Sequence, residues 1–70
     1  MGMINIKDFI GKSLLNKSVR FKCECTVPFD IIGIVTSYMV INSEVVWVVE
    51  KDSKQMKIGE NTPKLSISIL

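Results

Sequence analysis

The chain contains no histidine, so it has no side chain that titrates near neutrality as a general base and no imidazole to offer a metal. It also lacks the Gly-rich spacing of a phosphate loop, a serine–base constellation and paired carboxylates, so the inventory points away from an enzyme and no cofactor is expected. Long apolar runs are missing too. The longest, Ile31 to Val35 and Val45 to Val49, fall far below the roughly 18 residues a membrane-spanning helix needs. Lys7 and Asp8 sit where a secretory leader would carry its apolar stretch, and the expectation is a soluble, cytoplasmic protein.

A block of one charge is absent as well. Nine basic and seven acidic residues give a formal charge of +2, with Glu24, Glu50 and Asp52 interleaved among the lysines. That is not the dense cationic field of a dedicated phosphate-backbone binder. What remains is 70 residues, 47% hydrophobic and 23% charged, which is enough for one domain around one core. A short chain leaning on Lys, Ile and Asn is of the kind that phages and mobile elements often encode, an association of composition and not of physics.

Periodicity supplies the elements. Ile6, Phe9, Ile10 and Leu14 mark one face of a short helix over residues 5–11, with Asn5 as its N-cap, Asp8 in its first turn and Gly11 near its end. Val19, Phe21, Cys23, Cys25 and Val27 alternate with polar residues, which predicts a half-buried strand over 18–27 that Pro28 ends. Further strands are predicted over 32–40, 45–51, 55–58 and 65–69. They are separated by the turn-forming stretches Asn42-Ser43-Glu44, Asp52-Ser53-Lys54 and Gly59 to Pro63. The expected fold is mostly β, a small five-stranded barrel with a short N-terminal helix, since closure would remove the unpaired edges of so apolar a sheet.

This order of helix, long strand, three further strands, one-turn connection and last strand resembles the SH3-like small barrels, and the leading helix makes it similar to the Sm-like branch. The resemblance implies the fold. Sm-like proteins bind RNA through an acidic-aromatic-Asn loop after the second strand and an Arg-Gly or Lys-based loop before the last. Here those regions read Ser37-Tyr38-Met39-Val40-Ile41-Asn42, without the Asp, and Lys57-Ile58-Gly59-Glu60-Asn61, without the Arg.

Three sets of residues are candidates for function. Val46 and Val48 are apolar on the side of their strand opposite Val45, Trp47 and Val49, so something must cover the second face. The helix is one candidate. A partner protein or a second copy is the other, meeting a patch around Tyr38, Met39 and Trp47, and this makes a non-catalytic protein-interaction module, inhibitor or adaptor the leading reading. The alternative is a nucleic-acid-binding barrel in which Arg20, Lys22, Lys54 and Lys57 follow the phosphates while Tyr38 or Trp47 stacks on bases. Third, Cys23 and Cys25 lie two apart on a strand, but a structural zinc wants four Cys or His ligands, so only a metal-linked dimer would complete a site. The plainer expectation is two free thiols packed as small hydrophobes, because a disulfide would fight strand geometry.

Overall fold

The computed structural model describes residues 6–70 and contains one helix and five strands: α1 (Ile6–Ser13), β1 (Ser18–Cys23), β2 (Phe29–Ile41), β3 (Glu44–Lys51), β4 (Lys54–Gly59) and β5 (Leu65–Ile69). The Asn5 cap expected for the helix lies outside the described residues. All strand pairs are antiparallel, in the order β4-β3-β2-β1-β5.

Both hairpins turn on two polar residues with positive φ, Asn42 and Ser43 between β2 and β3, and Asp52 and Ser53 between β3 and β4. Two consecutive left-handed residues match the right-handed twist of the flanking strands, which is why such turns close hairpins. Between them β2 is long enough to serve two neighbours. Its residues from Phe29 to Ile34 pair with β1 and those from Ile34 to Ile41 with β3, and the register shifts between Val35 and Ser37. A bulge of this kind bends the strand, so one β2 crosses from one half of the sheet to the other.

The inner faces of the two halves enclose Val19, Phe21, Val35, Val45, Trp47, Val49 and Ile58, with Leu14 from the segment after α1. The Phe21 and Trp47 rings lie with centroids 5.9 Å apart and planes inclined by 43°. No β4–β5 ladder closes the sheet, so the expected barrel is replaced by an open five-stranded sheet. The radius of gyration, 12.2 Å, exceeds the roughly 11 Å of a compact chain of this length, in keeping with an open edge. The core is completed instead by α1, which packs on β2 and β3.

The helix is rotated from its expected face. Ile10, Gly11 and Leu14 meet the sheet, whereas Ile6 and Phe9 are each 68% exposed. Gly11 is the cause. Lacking a side chain, it lets the helix backbone approach the Tyr38 ring and brings its carbonyl to the indole N–H of Trp47, which donates to it at 3.3 Å. The helix therefore covers the face of Val45, Trp47 and Val49, not that of Val46 and Val48. Beyond it, Asn16 takes a left-handed φ of 61° and donates its N–H to Val35 O at 2.7 Å, while Val35 N–H donates back to Lys17 O at 3.2 Å.

The first strand is shorter than its alternation promised, ending at Cys23 and not at Val27, which is 78% exposed. The Cα atoms of Cys23 and Cys25 are 5.4 Å apart, closer than the nearly 7 Å of residues two apart on a strand, and the pair forms a disulfide. This replaces the expected free thiols. The objection from strand geometry fails because the chain has already left the strand.

Candidate interaction surface

The residues expected to form one patch are divided between two faces. Trp47 is 2% exposed and belongs to the core, so it offers nothing to a partner. Tyr38 lies beside it on the inner face, its ring against Gly11 and its hydroxyl donating to Asp8 Oδ1. Met39, the next residue along the strand, points to the opposite, outer face opposite Val46.

The basic set is divided as well. Arg20 is held in a two-pronged pair with Asp30, Nε–H donating to Oδ1 at 2.8 Å and the terminal N–H to Oδ2 at 2.5 Å. Lys22 lies 3.7 Å from Glu24. Lys54 and Lys57 stand on β4, three strand spacings from β1, or about 14 Å. Among the described residues no cluster of three or more His, Cys, Asp or Glu converges as a metal site, and Cys23 and Cys25 as a disulfide have no thiolate to give one.

What the structure does bring together is an apolar band on the outer face. The pairings Ile34 with Glu50, Ser37 with Val48 and Met39 with Val46 put Ile32, Ile34, Met39 and Ile41 of β2 on that side, beside Val46 and Val48 of β3. Ile32, Ile34 and Ile41 are 50%, 49% and 49% exposed, Met39 and Val46 are half-buried and Val48 is buried, with Ser37 lying between Ile34 and Met39 on the same face. The salt-bridged Arg20 and Asp30 border the band on one side, and Glu50 and Lys57 on the other. Sequence reasoning placed Met39 of this band in its candidate patch and marked Val46 and Val48 as a face to be covered, but did not single out Ile32 and Ile34. The signal for the rest was the apolar stretch from Ile31 to Ile41, in which residues of both parities are hydrophobic.

Glu60 was not singled out from the sequence, yet it ties the β4–β5 connection to the start of β3. Its carboxylate accepts from Lys7 Nζ at 2.7 Å and from Val45 N–H at 3.1 Å, and these bonds hold it below the ordinary carboxylate range, Lys7 contributing most. Asp30 is lowered chiefly by Arg20. Asp8 is lowered chiefly by the Tyr38 hydroxyl, with Lys12 adding to it, and the same bond raises Tyr38.

The pH dependence follows from these directions. A carboxylate depressed by folding stabilises the fold fully above its unfolded value, near 4, and the contribution is lost as pH falls through the folded value. A phenol raised by folding stabilises fully below about 10 and loses its contribution as pH rises through the folded value. Tyr38→Phe is therefore expected to flatten both limbs of the stability profile while leaving the acid losses due to Asp30 and Glu60. Urea midpoints measured across the acid and alkaline ranges check this; two profiles of identical shape would show that the Tyr38–Asp8 bond does not couple to folding.

No family model matches the chain, and no curated protein or solved structure is significantly similar to it.

Proposed function

We propose that this chain is a non-catalytic protein-binding module, an adaptor or inhibitor, that uses the outer face of β2 and β3, and that its architecture is a variant of the SH3-like and Sm-like small barrels in which the last edge stays open. The observation that carries the reading is the half-exposure of Ile32, Ile34 and Ile41 on an interior strand. The outer face of such a strand normally alternates to polar residues, and contiguous exposed apolar surface marks an interaction site. The charged border of Arg20, Asp30, Glu50 and Lys57 supplies the polar rim that protein interfaces carry. The nucleic-acid reading is weaker, because Arg20 and Lys22 both face carboxylates and Lys54 and Lys57 lie on a distant strand.

The test is affinity capture from lysate of the source cell, with and without nuclease, comparing the unaltered chain with Ile32→Lys/Ile34→Lys. Both side chains point away from the core, so the variant keeps its fold by circular dichroism. A defined protein is expected to survive nuclease and to fall at least about tenfold in the variant, the loss of one hot-spot residue or more. Recovery undiminished by the substitutions removes the surface from consideration, and material that disappears with nuclease transfers the case to nucleic acid.

A further inference from the structure

The strand β5 is the free edge of the sheet that carries no protection. Among the described residues nothing pairs with its outer side, and Leu65 to Leu70 contains no charged side chain, no proline and no bulge. The opposite edge is different. On β4 the Lys51–Lys54 pair flanks the two-residue turn and is hydrogen-bonded within the hairpin, so Gln55 and Lys57 direct their N–H and C=O groups to solvent, while the Gly59 carbonyl is already taken by the Thr62 N–H and hydroxyl, which donate to it at 3.1 and 2.6 Å. Lysines on an edge oppose strand addition.

The free groups of β5 follow from one hydrogen bond. Leu70 donates its N–H to Ser18 O at 2.9 Å, so residues 70, 68 and 66 face β1, and Leu65, Ile67 and Ile69 present their N–H and C=O groups to the open side. These are the same residues whose side chains extend the inner face beyond Cys23, Phe21 and Val19, and Ile67 and Ile69 remain 39% and 54% exposed there. Unpaired backbone and uncovered apolar side chains thus coincide on one short strand.

We infer that β5 pairs antiparallel with β5 of a second copy about a two-fold axis at Ile67, joining two open sheets into one. In that register Ile67 meets Ile67 of the second copy and Leu65 meets Ile69, each as a hydrogen-bonded pair, with their apolar side chains on one side and Ser66 and Ser68 on the other. The strand is self-complementary, as an isologous interface requires. Pairing β5 with β4 of a neighbour would instead set an uncharged strand against Lys57 and leave further edges open.

The test combines mass with hydrogen exchange. Sedimentation over a range of concentrations is expected to rise from the 7.9 kDa chain to twice that mass. The Ile67 and Ile69 amides become protected with it, while those of Ser66 and Ser68 are protected throughout. Ile67→Lys brings two ammonium groups together on the axis and is expected to hold the protein at monomer mass with its circular dichroism intact; Lys57→Glu leaves the doubling unchanged. Should Ile67→Lys fail to fold, chemically synthesised protein with an N-methylated Ile67 removes the edge donor without touching the β1 ladder. Monomer mass at every concentration, a dimer that protects β4 amides instead, or a dimer that survives N-methylation overturns the inference. None of these outcomes bears on the outer-face residues Ile32 and Ile34.

Discussion

Trp47→Ala is expected to remove about half or more of the folding free energy of the chain. A domain of this length holds roughly 4–10 kcal/mol at about 0.05–0.15 kcal/mol per residue, and truncating a buried Trp costs about 3–5 kcal/mol. Trp47 is 2% exposed, packs at an incline on Phe21 and, with Tyr38, joins α1 to the sheet through its indole N–H, which donates to Gly11 O. The loss therefore spreads to the helix. Gly11 O keeps one donor, the Leu14 N–H at 3.5 Å, so the lost indole bond adds only about 1 kcal/mol beyond the cavity. Trp47→Phe separates the terms, retaining most of the ring and losing the donor, and is expected to cost less than half as much. Urea unfolding followed by circular dichroism measures both. A Trp47→Ala midpoint within about 1 kcal/mol of the unaltered chain would mean the indole is not where the core is built.

The part of the fold that was legible in the sequence is the part written in local chemistry. Val19, Phe21 and Cys23 alternate and are buried, and Asn42-Ser43 and Asp52-Ser53 sit at the two hairpin turns. What was illegible depends on distant partners. The alternation through Cys25 and Val27 reads as strand, yet β5 runs out at Leu65 opposite Cys23 and β2 begins at Phe29 opposite the same residue, so no ladder remains to extend. The helix phase was misread because Ile6 and Phe9 outweigh Gly11 in any count of hydrophobicity, while Gly11 decides the contact by what it lacks.

The candidate surface was misread for a related reason. Tyr38, Met39 and Trp47 are the large side chains of the region, and size alone does not tell inner from outer face. Register does: Tyr38 pairs with Trp47 and both turn inward, leaving Met39 with Ile34 and Ile41 outside. The bulge between Val35 and Ser37 fixes that phase, and no local pattern announces it.

Substituting Gly11, Gly33 and Gly59 one at a time should separate close approach from mere smallness, with Gly33→Ala and Gly11→Ala both far more damaging than Gly59→Ala. Gly33 faces inward across from Val19, one residue before Ile34, the position where β2 is paired on both sides. A Cβ there would stand 2.6 Å from Val49 Cγ1 and 2.7 Å from the carbonyl oxygen of Glu50. Neither neighbour can give way. Val49 is fully buried, and moving Glu50 O breaks the β2–β3 ladder beside the bulge, so the loss is expected at the upper end of overpacking, about 3 kcal/mol. At Gly11 a Cβ would collide with Tyr38 Cδ2 and stand 2.7 Å from its Cγ, so the ring must move from its root and give up its bond to Asp8, against which alanine recovers at most about 1 kcal/mol of helix propensity. At Gly59 the obstacle is the Glu44 carboxylate, the far end of a flexible side chain. Gly33→Ala and Gly11→Ala are both expected to destabilise well beyond Gly59→Ala, read from urea midpoints. If Gly33→Ala is tolerated as well as Gly59→Ala, β2 does not pass as close to β3 as its pairing requires, and the bend that lets one strand serve both halves of the sheet has another origin.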